Sequence, residues 1–349
     1  MSNTIKILVP AIISFICGIG LTPILTHYFY KYKLWRRTSR ATADTNKSFI
    51  EKVYNGSELH TPRVGGMIVW MSVILTLLII WIITLFIAPH VGSNLNFITR
   101  KETLLPFFTL IVASLIGLAD DFVQIFATGK LSKDPMFLRY IKLAIIIGLG
   151  IIIGWWFFVK LGISALYIPF IGFVPLGIMF IPFFIVVMLA MFSSSVIDGI
   201  DGLSGGVLAP IFAGYAIIAF GHGQINLAAF CSVVVSGILA FLWFNIPPAR
   251  FYMGETGMIG LTVTLSVIAF LTNTVLLLPI IAFPLFITSL SDILQMGSKK
   301  LRHGKKVFIV APLHHHFEAK GWPKYKVTMR YWIMGIMTAI IGVILAFIQ

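Results

Sequence analysis

Ten runs of mostly apolar residues, nearly all long enough to cross a bilayer, dominate this chain. A crossing helix needs about 20 such residues, because once water is gone each backbone N–H and C=O must be paired within the segment. The runs lie near 5–29, 66–88, 104–119, 137–159, 169–192, 203–221, 226–245, 257–272, 274–297 and 327–348. The eighth is short, and Asn273 is the one polar break before the ninth. The ninth holds Pro279 and Pro284 and ends on Ser289, Ser291 and Asp292, so a bent or broken helix is expected there. The expected fold class is all-α: a polytopic integral membrane protein of about ten helices, forming a single transmembrane domain over 1–349. The first apolar run is too long for a cleavable signal peptide and lacks a small-residue cleavage site, so none is expected. No internal repeat supports a transporter of inverted-repeat type.

Composition agrees. The chain is 58% hydrophobic and 11% charged, whereas soluble domains are about a quarter charged. Low charge and 30 Phe exclude disorder, and two cysteines, Cys17 and Cys231, both in apolar runs, exclude a disulfide scaffold. The net charge of +14 raises nucleic acid as a partner, and the placement of the charges argues against it. Ten spans leave both termini on one side. The loops after spans one, three, seven and nine, with their flanks, hold 22 of the 26 Lys and Arg. The positive-inside rule then puts those loops in the cytoplasm and both termini outside. The basic excess is read as topology plus attraction to anionic lipid headgroups.

The acids are more selective. Of 12 carboxylates, 11 fall on the same inner side, and only Glu102 lies outside. Positive-inside does not demand this, since acids contribute little to orientation. Asp120, Asp121, Asp198, Asp201 and Glu255 sit in three inner loops or helix ends, with Asp292 near a fourth. Carboxylates at the edge of hydrocarbon are costly unless paired, solvated or metal-bound, so their convergence points to a divalent-metal or phosphate site. Solvated loop acids balancing nearby Lys and Arg explain one isolated acid well, and this set poorly.

Four stretches carry the pattern. Asp120-Asp121 ends the third span, where adjacent carboxylates repel and a hard cation such as Mg²⁺ is a natural mediator. Asp198-Gly199-Ile200-Asp201-Gly202 links spans five and six, its glycines permitting tight turns and its two aspartates sharing a face if helical. An interhelical turn with a capping aspartate explains one of those acids more easily than both. Asn245-Ile246-Pro247-Pro248-Ala249-Arg250-Phe251-Tyr252-Met253-Gly254-Glu255 stops one helix and opens a backbone cradle before the next. Tyr252 there suits stacking on a base or anchoring at the interface. His314-His315-His316 lies in the last basic loop. Three consecutive histidines cannot all face one ion from a regular helix, and they suit a diphosphate better than zinc.

On these residues the chain resembles the phospho-N-acetylmuramoyl-pentapeptide transferases, a branch of the polyprenyl-phosphate N-acetylhexosamine-1-phosphate transferases. The likeness spans nearly the whole chain. Its most specific stretch is Ala311 to Trp322 with the triple histidine, supported by Thr61-Pro62, Gly65-Gly66, Asp120-Asp121, Asp198 to Leu203, Asn245 with Pro247-Pro248-Ala249, and Met253-Gly254. The resemblance implies transfer of phospho-N-acetylmuramoyl-pentapeptide from its UDP carrier to undecaprenyl phosphate, giving lipid I and UMP with Mg²⁺ at the bacterial inner membrane. It also implies a homodimer. The active site would form from the loops at about 30–65, 120–136, 193–203, 246–256 and 298–326. Asp120, Asp121, Asp198 and Glu255 are implied as catalytic and metal-holding carboxylates. Asp201, Asn245 and Tyr252 are implied to line the uridine pocket, and His314, His315 and His316 to contact the diphosphate or sugar-peptide. Ser195, Gln124 and Gly254 complete the implied substrate-binding set.

Departures from the family pattern fall within this set. Gln124 stands where the family has lysine, Ser195 where it has asparagine, Glu255 where it has aspartate, Met258 where it has serine and Thr288 where it has glutamate; no lysine precedes Thr61-Pro62, where Glu58 is nearby. They keep two alternatives open: a related transferase with another UDP-sugar donor, against which the triple histidine argues, and a catalytically weakened homologue that binds nucleotide-sugar or lipid.

Overall fold

The computed structural model describes residues 2–35, 60–100, 102–126, 135–169 and 171–348. The inner-loop stretches at 36–59 and 127–134, with their share of the counted charges and Glu58, lie outside the described residues, as does Lys101. In chain order the helices are α1 (Asn3–Lys31), α2 (Met67–Ile82), α3 (Pro89–Leu95), α4 (Leu104–Phe126), α5 (Pro135–Trp155), α6 (Phe180–Ser193), α7 (Leu203–Gly221), α8 (Ile225–Asn245), α9 (Gly254–Leu271), α10 (Leu278–Ile281), α11 (Phe283–Leu301), α12 (Leu313–Ala319) and α13 (Lys324–Ile348). Among the described residues nine helical segments are long and apolar enough to cross a membrane, and α10–α11 makes a tenth if counted as one bent span. This is the all-α polytopic membrane protein that the apolar runs require.

The fifth run departs from expectation. Residues 171–176 do not open a helix: Gly172–Pro175 is a strand, β2, paired antiparallel with β1 (Ala165–Ile168), Leu166 opposite Val174. The cause is local. Pro169 and Pro175 lack an N–H, and Gly172 takes φ +95°, so no helix can be nucleated until Gly177.

The short eighth run, α9, is the axis of the fold: 94% of its apolar window is buried inside the protein. It packs along α4, with α6 and α7 on its flanks. A second layer joins α1, α2 and α8 through a small polar residue, Ser14, whose Oγ lies 2.9 Å from its acceptor Val233 O on α8 and 3.3 Å from Ser72 Oγ on α2. Such residues let helices approach where lipid supplies no hydrophobic drive. Away from the acidic loops, Phe157, Phe180, Phe184 and Phe270 close the bundle with ring centroids 5.0 to 5.9 Å apart.

The ninth run is broken as its prolines require. The axes of residues 275–281 and 283–301 meet at 86°, with Ala282 at the break. Pro284 lies against Gly335 of α13, and Ile281 against Gly342. Gly335 is seven residues, about 10 Å of helix rise, beyond Thr328, whose hydroxyl bonds Asp201 O. The chain therefore turns sideways shortly before reaching the acidic end of the bundle. Beyond the break, α11 buries its polar residues Thr288, Ser289, Ser291, Gln295 and Ser298 and exposes Phe286, Leu290, Ile293 and Leu294. That is the inverse of a helix on a water-soluble protein.

At the acidic end, α7 and α13 meet at Gly206, where any Cβ would overlap the Trp332 indole; Trp332 Nε1 in turn donates to Gly202 O at 2.9 Å. Gly206→Ala is expected to displace the indole and destabilise the protein by about 1–3 kcal/mol. A lowered thermal midpoint in detergent would register this, whereas Gly148→Ala, in open space inside α5, is expected to hold or slightly raise the midpoint.

Candidate active site

The acids that the sequence singled out meet at the first turn of α9. A helix N-terminus leaves its first amides without intrahelical acceptors and carries partial positive charge. Here three consecutive amides are each taken by a carboxylate from elsewhere in the chain. Gly254 N donates to Asp198 Oδ2 at 2.9 Å, Glu255 N to Asp121 Oδ1 at 3.1 Å, and Thr256 N to Asp121 Oδ2 at 2.9 Å. Asp121 comes from α4 and Asp198 from the turn between α6 and α7. Both are buried, and Asp198 also accepts from Ser204 Oγ at 2.9 Å. The Thr256 hydroxyl extends the joint, donating to Ser114 O at 3.0 Å and accepting from Trp70 Nε1 at 3.3 Å.

A short ladder presents that turn. Tyr252 N donates to Pro62 O at 2.8 Å, Gly65 N to Tyr252 O at 2.9 Å and Gly66 N to Met253 O at 2.8 Å. Gly254 then takes φ +69°, and a side chain there would run into Arg63 O and Asp121 Oδ2, so only glycine fits. Tyr252 is half-buried, its backbone fully engaged by this ladder.

Asp120 faces elsewhere, because neighbours on an α-helix point about 100° apart. Its Oδ2 accepts from Gln124 Nε2 at 2.6 Å and from Lys142 Nζ at 2.8 Å. Lys142 Nζ also stands 3.5 Å from the buried Glu255 Oε2. One α5 ammonium thus bridges the two acids that do not clamp α9. Sequence reasoning counted Lys142 only as a loop-flanking charge. Its signal was its position seven residues inside an apolar helix, where a cation is costly without an acidic partner. Arg63 was likewise counted as a loop charge, yet it is buried beside the Gly254 turn.

The Asp198–Gly202 segment is not helical, so its aspartates do not share a face. Asp201 Oδ2 instead accepts from Ala249 N at 3.1 Å. Asn245 is buried with both amide ends used: Oδ1 accepts from Gly202 N at 3.0 Å, and Nδ2 donates to Phe251 O at 2.7 Å. Ser195 is half-buried in the preceding 3-10 turn, its carbonyl accepting from Asp198 N at 3.4 Å. Asp201 and Asn245 therefore brace the two loops against each other.

The histidines occupy α12, where the first two rings converge and the third turns away. His314 is fully buried, its ring 4.2 Å from that of His315 and 6.5 Å from that of Tyr331. His315 Nδ1 lies 2.6 Å from Glu318 Oε2. The Nε2 atoms of His314 and His315 stand over Gly199, which joins this segment to Asp198. His316 turns away: its Nδ1 accepts from Ile309 N at 3.1 Å, and its ring meets Phe308. Leu313 N donates to Ser291 Oγ at 2.9 Å, seating α12 on the polar face of α11.

The four carboxylates expected to share a metal do not all turn to one point. Among the described residues, no three His, Cys, Asp or Glu side chains are grouped to hold an ion. Asp121 spends both oxygens on amides, and Asp198 spends one on an amide and one on the Ser204 hydroxyl, which leaves Asp120 and Glu255, joined by Lys142, as the hard-oxygen pair. Mg²⁺ keeps several waters and needs only one or two carboxylates besides substrate phosphates, so this pair fits it in chemistry.

Asn245→Ala is expected to leave Gly202 N and Phe251 O unpaired and to cost about 1–3 kcal/mol per buried group, read as a lower thermal midpoint. A pH effect is expected at His316, whose pKa is lowered by burial and then by Lys320. Its neutral form is the one that accepts from Ile309 N, so this contribution is full above about pH 6.5 and is lost as pH falls toward the depressed value. The protection of the Ile309 amide, corrected for the intrinsic slowing of exchange at lower pH, should fall over that interval, and an unchanged protection factor would count against the bond.

Residues 103–273 match the profile of glycosyl transferase family 4. The chain is similar along most of its length to proteins named phospho-N-acetylmuramoyl-pentapeptide-transferase. The one from Chloroflexus aggregans is 33% identical over 338 residues, covering 92% of this chain and 84% of the relative. That from Levilactobacillus brevis is 31% identical, covering 97% and 98%, and that from Staphylococcus carnosus is 32% identical, covering 96% and 98%.

Proposed function

Because the chain belongs to the phospho-N-acetylmuramoyl-pentapeptide-transferase family, we propose that it moves phospho-N-acetylmuramoyl-pentapeptide from its UDP carrier to undecaprenyl phosphate, yielding lipid I and UMP. It is a multi-pass bacterial membrane protein of glycosyl-1-phosphate transferase type. The observation that carries the reading is the pairing of Asp120 and Glu255 about Lys142, beside an α9 turn already locked by Asp121 and Asp198.

In the proposed reaction an oxygen of the lipid phosphate attacks the phosphorus that bears the sugar. A new P–O bond forms, the bond to the UMP phosphate breaks, and UMP leaves with the electron pair. Phosphoryl transfer depends mostly on positioning and charge stabilisation. Asp120, the acid held by side chains alone, orients the acceptor phosphate. Lys142 offsets negative charge gathered between two phosphorylated substrates. Asp121 and Asp198 are positioning residues that fix where Glu255 begins. His314 and His315, standing over Gly199, are the histidines nearest the Asp198 turn and face the donor. Mg²⁺, held by Asp120 and Glu255 together with substrate phosphates, would stabilise charge on the transferring oxygens. The positive-inside distribution supports an active site open to the cytoplasm.

The test is UMP release by the full chain in lipid nanodiscs. Release is expected only with both UDP-MurNAc-pentapeptide and undecaprenyl phosphate, and to stop on chelation and return with Mg²⁺. UDP-N-acetylglucosamine is expected to support at least about tenfold less. Asp120→Asn should lower turnover by about 10²-fold or more while donor binding persists. No release from monodisperse wild-type protein would overturn the proposal, and preferential use of the smaller donor would replace it with the related transferase.

A further inference from the structure

The buried polar face of α11 seats α12 and the loop before it, and leaves the other face of the helix unexplained. Phe286, Leu290, Ile293, Leu294 and Leu301 recur at spacings of three, four or seven and form an exposed apolar stripe; Leu301 is 81% exposed. The 86° bend carries this stripe sideways, near the level where the bundle's acidic end begins. A helix with a strong apolar face and polar opposite face, placed there, lies in the plane of the membrane interface.

The stripe runs directly into a basic turn. Lys299, Lys300, Arg302, Lys305 and Lys306 fall within eight residues, with His303 among them, and no carboxylate occurs from Ile293 through Phe317. The turn is built. Arg302 N donates to Ser298 O at 2.8 Å, Gly304 N to Lys299 O at 2.8 Å, and Ser298 Oγ to Lys305 O at 2.8 Å. Gln295 Oε1 accepts from both Val307 N and Phe308 N at 3.0 Å, and its Nε2 donates to Phe308 O. With its backbone tied inward, the turn leaves Lys300, Leu301, Arg302, Lys305 and Lys306 exposed.

We infer that α11 and the 299–306 turn form a docking surface for anionic phospholipid headgroups, the apolar stripe entering the acyl boundary while Lys300, Arg302 and Lys305 reach the phosphates. Charge complementarity selects this occupant: each Lys or Arg near an anionic leaflet adds attraction, and an apolar neighbour adds insertion. The same helix carries Ser291 and Gln295, which seat α12 and its loop, so lipid capture bears on how firmly the histidine segment is held. The inference rests on the fold and charge pattern and does not depend on the proposed reaction.

Native mass spectrometry of the full chain tests it, using detergent-solubilised protein equilibrated with equal phosphatidylglycerol and phosphatidylcholine of matched acyl chains. Phosphatidylglycerol adducts should exceed phosphatidylcholine adducts, and the ratio should fall by at least about tenfold in K300Q/R302Q/K305Q. Raising ammonium acetate from about 0.1 to about 0.5 M should narrow the preference in the unmutated protein, because the screening length shortens; this holds the test even if the triple variant aggregates. An unchanged ratio in a monodisperse variant, or a salt-independent preference, would overturn the inference. So would competitive displacement of phosphatidylglycerol by one equivalent of polyprenyl phosphate, which would assign the surface to the acceptor lipid.

Discussion

The first turn of α9 is the joint on which the structure depends. This helix is the most buried in the protein, and its leading amides emerge where no intrahelical acceptor exists. Asp121 and Asp198 accept all three. The arrangement resolves two costs at once, since a buried amide without an acceptor and a buried carboxylate without donors are each unfavourable. It also ties α4, the α6–α7 turn and α9 to one point, and the Pro62–Gly66 ladder then adds the segment leading into α2. The acids that look most catalytic in the sequence thus do two kinds of work. Asp121 and Asp198 hold the turn together, and Asp120 and Glu255 pair through Lys142 instead.

A second constraint is the solvent on each side of α11. Phe286, Leu290 and Ile293 are turned outward, while the protein takes up the hydroxyls and amide of Ser289, Ser291 and Gln295. The break at Ala282 is what permits this, turning the chain from a path through the bundle to a path along its edge. A loop rich in cations can therefore be carried to the membrane surface without dragging charge through hydrocarbon.

The sequence revealed most of the fold because apolar length is a nearly sufficient signal for a crossing helix. It placed the broken ninth run correctly, since two prolines and a polar inner end leave few alternatives. It misread 171–176, where hydrophobicity was high and the hairpin was dictated by Pro169, Gly172 and Pro175 instead. The acidic motifs do come together at the first turn of α9, and the glycine before Glu255 marks the tightest point of that turn. What stayed hidden was the pairing. Adjacent Asp120 and Asp121 look like one unit in sequence, yet helical geometry sends them to different partners. Lys142 lies 22 positions from Asp120, and only tertiary packing of α5 against α4 brings it there. Asn245 is implied for the uridine pocket by resemblance alone, and its two bonds to Gly202 and Phe251, which brace the loops, could not be read from its position.

Amide hydrogen exchange across residues 254–256 bears most directly on the clamp at α9. In the unmutated protein these amides should exchange as slowly as the interior of α9, and Asp121→Ala should release Glu255 and Thr256 selectively while Ile259 to Leu265 stay protected. Unchanged protection at Glu255 and Thr256 in a folded Asp121→Ala protein would contradict the account, since the turn would then be held by something other than the carboxylate.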